Sequence, residues 1–190
     1  MEHLKYIFCS KIGLQEHHYN VFMQVAVEKS LRKKQSLITS GSVCDFLGIV
    51  TSGILRSFVR SDEEFNNDFY YDNSFISAYT SFLTRQPTNC NIEAISDSTI
   101  LYITRGQLEQ LIKEDIEWLK FSKYISDTFF IKKCKRETSF LLHSAAERLE
   151  SIKELYPEIE QKVSQYHIAS YLGVKPESLS RIKLLTYIKK

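Results

Sequence analysis

What this chain lacks narrows its function first. It holds only six glycines and three prolines in 190 residues. No glycine-rich phosphate loop, G-x-S-x-G elbow or H-E-x-x-H pair occurs in it, so catalysis built on those devices is not expected. Its four cysteines, Cys9, Cys44, Cys90 and Cys134, stand 35, 46 and 44 residues apart. None forms the C-x-x-C clamp of a structural metal site. They read as reduced, mostly buried thiols, and neither a metal nor another cofactor is expected. No stretch approaches the roughly 18 consecutive apolar residues of a membrane span. The N-terminus offers only Tyr6 to Cys9 as an unbroken apolar run, too little for a secretory leader. The expected setting is the cytoplasm, without a membrane partner.

What the chain does have is ordinary globular composition, 43% hydrophobic and 25% charged, which disordered chains lack. Its length suits two modules, since single domains most often run to about 100–150 residues. The overall charge is +2, but it is unevenly placed. From residue 161 onward Lys162, Lys175, Arg181, Lys183, Lys189 and Lys190 face a single acid, Glu177, and the first 160 residues are left at −3. A basic end on a mildly acidic body fits a module that binds a polyanion; a solvated basic tail fits equally.

Three textures succeed one another. Leu14 to Lys34 lacks Gly and Pro and repeats apolar residues (Tyr19, Phe22, Met23, Ala26, Val27, Leu31) at helical spacing, which predicts an amphipathic helix. Residues 36–103 carry short β-branched and aromatic runs (SLIT, DFLGIV, GILRSFV, NDFYY, NIEAI, STILYI) separated by turn residues, the pattern of a compact barrel or roll. Helical period then returns. A short helix is expected at Gln107 to Lys113 and a long one from Asp115 to about Lys135, with Trp118, Phe121, Ile125 and Phe129 at spacings of 3, 4 and 4. Such a stripe can pair with its copy in a second subunit or pack on the chain's own roll. Ser144 to Tyr156 suits a further helix that stops before Pro157.

The segment SQYHIASYLGVKPESLSRIK, residues 164–183, sets two short helices around Gly173. The first, Tyr166 to Leu172, buries Ile168, Ala169 and Leu172. Gly173 ends it because glycine reaches positive φ without steric cost. Pro176 suits the first position of the second helix, where its missing N–H is no loss. Leu179 and Ile182 then face back toward Ile168 and Ala169. That is a helix-turn-helix pattern, whose second helix docks in the major groove of DNA. Arg181 could bond guanine O6 and N7, Glu177 could accept from cytosine N4, and Ser178 and Ser180 could touch bases or phosphates. Gln165, Lys175 and Lys183, with the terminal lysines, complete the expected DNA-binding set. A plain two-helix corner with a Glu177/Arg181 surface pair explains the same residues without DNA.

HIASYLGVKPESLSRIK, with its Glu177-Ser178-Leu179-Ser180-Arg181 core, resembles the recognition motif of bacterial Crp/Fnr-type transcription regulators. LITSGSVCDFLGIVTSGILRSFV, with Gly41 and Gly53 twelve apart, is similar to the first strands of that family's cyclic-nucleotide-binding roll, and IEAISDSTILYITRGQLEQLI to its last strands. The resemblance implies an α+β protein in three parts. These are an N-terminal helix and jelly-roll-like sensor over 1–113, a dimerisation helix and linker over 114–138 bearing Trp118, Phe121, Ile125 and Phe129, and a helix-turn-helix domain over 139–190. It implies a homodimer that binds a pseudo-palindromic site on double-stranded DNA. The alternative is a ligand-sensing or protein-interaction roll with a weak or vestigial DNA-binding tail.

The chain departs from that family in several places. Members that bind cyclic nucleotides use a Gly-Glu pair for the ribose and an Arg-Ser or Arg-Thr pair for the cyclic phosphate. YYDNSFISAYTSFLTRQPTNCNIEAIS has no Gly-Glu, and Thr88 and Asn89 fall where the arginine pair would stand. Control by cyclic AMP is therefore not expected, since the phosphate would lack its cation. Ser74, Tyr79, Arg85, Thr88 and Asn89 remain candidates to line a pocket for an unknown small-molecule effector. Cys9 stands alone where iron–sulfur members cluster cysteines. His17 and His18, adjacent on a helix, are expected at the surface and unable to face one metal together. LLTYIKK is too short for the β-hairpin wing of many relatives, and Pro176 replaces a base-contacting arginine found in several.

Overall fold

The computed structural model describes residues 2–188. A short helix α1 (Glu2–Tyr6) runs into a π-helical stretch, Ile7–Ile12, which Gly13 ends at a φ of 77°. Helix α2 (Glu16–Val25) follows. The helix expected to reach Lys34 stops nine residues earlier. Val27–Leu31 instead form strand β1, paired residue by residue with the last strand of the roll from Val27↔Tyr102 to Leu31↔Ser98. Backbone pairing along an open sheet edge outweighs a helical period that only scattered apolar residues support.

The roll comprises β2 (Ser36–Ile38), β3 (Phe46–Ser52), β4 (Leu55–Arg60), β5 (Glu64–Tyr70), β6 (Phe75–Ile76), β7 (Cys90–Ala94) and β8 (Ser98–Thr104), with a short helix α3 (Tyr79–Thr84) between β6 and β7. They form two antiparallel four-stranded sheets, ordered β1-β8-β3-β6 and β2-β7-β4-β5. The six apolar runs read from the sequence correspond to β2, β3, β4, β5, β7 and β8. Sequence reasoning missed β1, β6 and α3, which are short or polar and owe their form to their neighbours.

Helix α4 (Arg105–Glu114) starts on a capping box: the Thr104 hydroxyl accepts from the Gln107 N–H at 3.2 Å, and the Gln107 side chain accepts from the Thr104 N–H at 2.8 Å. The Gln107 amide also donates to the Val25 carbonyl at 2.8 Å, which ties the end of α2 to the roll. Helix α5 (Trp118–Leu142) has 25 residues and extends about 37 Å at 1.5 Å per residue. It runs beyond the expected end near Lys135 and continues toward the C-terminal helices. These are α6 (Ala145–Leu155), with a Ser144/Glu147 capping box, α7 (Ile159–Lys162), α8 (Gln165–Leu172) and α9 (Pro176–Ile188).

Two apolar clusters hold the molecule together. The larger fills the roll and includes Phe8 and Phe22 from the N-terminal helices and Trp118, Phe121, Ile125 and Phe129 from α5. Phe8 lies 5.0 Å from Phe22 and 5.3 Å from Phe121, ring centre to ring centre. The stripe expected at a subunit seam is thus spent on the chain's own roll, because the four side chains find a complete apolar partner there. The second cluster gathers Leu149, Ile152, Tyr156, Ile159, Val163, Ile168, Ala169, Leu172 and Leu179 with two roll residues, Ile54 and Phe69. The C-terminal helices therefore share their core with the outer sheet.

Candidate nucleic-acid interface

The candidate two-helix unit is built by α8 and α9. Ser164 caps α8, its hydroxyl accepting from the His167 N–H at 3.3 Å. Gly173 sits at φ 68°, and the Val174 N–H returns to the Ala169 carbonyl at 3.0 Å, which closes the turn as the sequence predicts. Its reversal is tight: a Cβ at Gly173 would come within 2.8 Å of the Phe140 ring on α5. Pro176 opens α9, and Leu179, fully buried, wedges between the helices. The last carbonyls of α8 have cationic partners. Arg148 donates to the Leu172 carbonyl at 2.9 Å, and Arg136 to the Tyr171 carbonyl at 3.0 Å, so the turn is braced from α5 and α6.

Lys175 in the turn before α9 and Glu177, Ser178, Ser180 and Arg181 along its outer side are all exposed, and Gln165 is exposed on α8. Among the described residues no ion pair engages Lys175, Glu177 or Arg181. The Glu177/Arg181 surface pair allowed by their spacing is not formed. Lys183 differs: its ammonium pairs with Glu160 and donates to Gln165 Oε1 at 2.5 Å. That lysine braces α9 against α7 and α8, and so has less freedom to meet a phosphate. Lys189 and Lys190 lie outside the described residues.

The opposite face of α8 covers the edge strand β5. The Ser170 hydroxyl donates to the Glu64 carbonyl at 2.7 Å and accepts from the Asn66 N–H at 2.9 Å. A side chain thus fills a place that a neighbouring strand would take. Beneath it lies Arg56, almost wholly buried, its guanidinium bound to Glu64 at 2.8 Å, Glu93 at 3.2 Å and Asn66 Oδ1 at 3.1 Å, and stacked on Phe58. Arg56 also donates to His167 Nδ1 at 3.2 Å. Burial first, and then the adjacent guanidinium, lower the His167 pKa to about 4, so the ring is held as an acceptor. A second tie runs through Asp68, buried in β5. Its Oδ1 receives Lys132 of α5 at 2.6 Å, the hydroxyl of Tyr156, just past α6, at 3.1 Å and the Phe69 N–H at 2.8 Å. Burial, with Asp68 beside it, pushes the Tyr156 phenol far above its ordinary range, so it remains an O–H donor. No sequence motif marks Arg56, Asp68, Tyr156 or His167. A buried polar residue inside a β-rich run was the one available signal.

The five residues expected to line an effector pocket do not come together. Ser74 lines a groove of ≈ 290 Å³ shared with Tyr6, Tyr124 and Lys132, whereas Tyr79 lines a separate depression beside Leu119 and Ser126. Arg85, exposed at φ 60°, pairs with Glu109 of α4 at 3.1 Å. Thr88 is bound into the loop before β3 by backbone bonds to Gly41 and Ser42, and Asn89 is exposed. The space inside the turn of α3 is taken up by protein: Phe82 is buried under Arg105, and Ser81 donates to the Gln86 carbonyl. The four cysteines are free. No helix among the described residues is long and apolar enough to cross a membrane. The expectation that His17 and His18 both lie at the surface and diverge is corrected, because His18 is buried and both rings turn toward the carboxylate of Asp115.

Comparison with known proteins agrees with this architecture. Residues 28–115 match the family described as cyclic nucleotide-binding domain. No curated protein matches the chain in sequence. Among solved structures, FixK2 from Bradyrhizobium japonicum superposes with a TM-score of 0.73 at 20% identity, over 87% of this chain and 86% of its own. The c-di-GMP responsive global regulator CLP from Xanthomonas campestris gives 0.72 at 14% identity, over 92% and 93%. A protein from Eubacterium rectale assigned to the crp/fnr family gives 0.69 at 18%, over 93% and 85%. The chain thus carries a roll of the cyclic nucleotide-binding type and, over nearly all its length, the fold of the Crp/Fnr-type transcription regulators.

Proposed function

We propose that the chain is a homodimeric transcription regulator that reads a two-fold symmetric DNA site through α9 and is not controlled by cyclic AMP. The observation that carries this reading is the disposition of α9. Leu179 is fully buried and Ile182 half-buried against α8, while Glu177, Ser178, Ser180 and Arg181 stand together in solvent at its N-terminal half. That is the part of a recognition helix that meets base edges. Independence from cyclic AMP rests on Thr88 and Asn89, which carry no cation for a cyclic phosphate.

Dimerisation finds support on the side of α5 that faces away from the roll. Leu119, Phe130, Ile131 and Leu141 are 48%, 70%, 51% and 77% exposed there. Beside them a groove of ≈ 970 Å³ opens between α5 and α6, lined by Ile131, Cys134, Thr138, Arg148 and Leu155. Apolar surface of this extent on a long helix favours a second copy. Paired subunits would set their α9 helices against half-sites about one turn, roughly 34–36 Å, apart.

Selection of bound fragments from a random DNA library with the purified protein tests the reading, and a palindromic consensus is the expected result. Arg181→Ala should lose about 1–3 kcal/mol of discrimination per half-site with the dimer intact. Lys175→Ala should weaken binding to all sequences alike and lower the salt slope by about 0.9 for each phosphate no longer neutralised. A folded, dimeric protein that selects no fragment at low salt would defeat it.

A further inference from the structure

The cluster at the foot of α5 is unexplained by DNA reading. His17 and His18 occupy the first turn of α2, and Asp115 stands at the junction of α4 and α5. Neighbouring residues on a helix ordinarily point about 100° apart, yet the two imidazole centres lie 3.8 Å from each other. Both Nε2 atoms face the same carboxylate oxygen, Asp115 Oδ2, His18 at 3.0 Å and His17 at 3.9 Å. The three ligand atoms all lie within 4.8 Å of one another. The other Asp115 oxygen accepts from the Glu117 N–H at 2.9 Å, which fixes the carboxylate plane. His18 is buried against Trp118 at 5.4 Å, so one wall of the cluster is rigid, while His17 is exposed and free to adjust.

We propose that His17, His18 and Asp115 form a binding site for a borderline divalent cation of the first transition row, of which Zn²⁺ is the natural probe. Two imidazole nitrogens and one carboxylate oxygen suit such ions, and are unlike the all-oxygen shells that Mg²⁺ and Ca²⁺ take. Metal–ligand bonds of about 2.0–2.1 Å in tetrahedral geometry place ligand atoms about 3.3–3.5 Å apart. The present separations bracket that value, and a small rotation of the exposed His17 closes the difference. Water would fill the remaining position. His18 Nδ1 is buried and has no partner, so the bound imidazole would lack the usual acceptor for its other N–H. Outer-shell bonds of that kind are worth about 10–100-fold in affinity, which points to micromolar rather than nanomolar binding. An ion here would bridge helix α2 to the junction of α4 and α5.

The test is titration of the full chain, carrying Cys134→Ser to remove the exposed thiol, with ZnCl2 against a chromophoric zinc indicator, alongside thermal melts with and without chelator. One equivalent per chain with a micromolar dissociation constant, and a melting temperature raised by Zn²⁺, is expected. His17→Ala alters an exposed side chain and should leave the apo melt unchanged while weakening Zn²⁺ at least about tenfold. Asp115→Asn should weaken it likewise. Co²⁺ should give visible bands of a nitrogen- and oxygen-ligated ion that disappear in His17→Ala. No binding, or binding that His17→Ala leaves unchanged, overturns the proposal.

Discussion

Substitution at Tyr156 tests how the C-terminal helices are held on the roll. Tyr156→Phe removes one O–H donor to the buried Asp68 carboxylate and leaves the ring in its stack on Tyr71 at 5.1 Å and its edge contact with Phe69. A hydrogen bond to a charged acceptor contributes about 1.5–3 kcal/mol. The low end applies, since Lys132 and the Phe69 N–H still serve the same oxygen. Asp68→Asn deletes the charge itself. Breaking a fully buried pair costs about 3–5 kcal/mol, but the Lys132 side chain is 27% exposed and partly regains water, so about 2–3 kcal/mol is expected. Both substitutions act on one bond and should not add. The cycle through the double variant should return a coupling of about 1 kcal/mol, within the usual 0.5–3. Urea unfolding followed by fluorescence of Trp118, the sole tryptophan, reads the loss on the roll side of the tie. With an m-value of about 2–3 kcal/mol/M for a chain of this size, Tyr156→Phe should lower the midpoint by about 0.5–0.75 M. A shift below about 0.2 M, or energies additive within about 0.3 kcal/mol, would refute the three-way tie through Asp68.

Three further outcomes follow from the packing. His167 binds its proton near pH 4 when docked, against about 6.5 when released, so docking is fully stabilised above about pH 6.5 and weakens as the pH falls toward 4. The groups around the ring are Arg56, Glu64 and Asn66. His167→Gln should flatten this part of the pH dependence, measured by amide exchange along α8, and an unchanged profile would refute it. Leu179→Ala should destabilise the C-terminal helices by about 2–5 kcal/mol and abolish DNA binding with the roll still folded, as read by chemical-shift mapping; retained affinity would contradict the wedge role. Gly53→Ala places a Cβ 2.4 Å from the Asp97 carbonyl at φ 90°, whereas Gly41→Ala, at φ 87°, meets open space. Thermal melts should show a loss of about 2–4 kcal/mol for the first and about 1 kcal/mol for the second, and equal losses would show that backbone conformation alone decides.

The two-helix unit was legible because every device in it is local. Ser164 caps, Gly173 takes positive φ, Pro176 opens the next helix, and Leu179 returns to Ile168 and Ala169 within eleven residues. Strands β2, β3, β4, β5, β7 and β8 were legible for a similar reason, since their side chains carry β-branched and aromatic character in themselves. Strand β1 was misread because its form is imposed by β8, seventy residues away, against a local pattern that favours a helix. The α5 stripe was read as one face of a helix, but periodicity says which residues share a face and nothing about what the face meets.

The amino-acid sequence by itself determined the order of the parts, the hinge between α8 and α9, and the identity of the side chains that α9 carries, because short-range sterics and capping decide these. Only the tertiary structure decided that Trp118, Phe121, Ile125 and Phe129 serve the roll, that α8 seals the β5 edge over Arg56, and that His17 and His18 converge on Asp115. Those arrangements join residues about 50 to 110 positions apart, where the partner is chosen by the geometry of the whole chain.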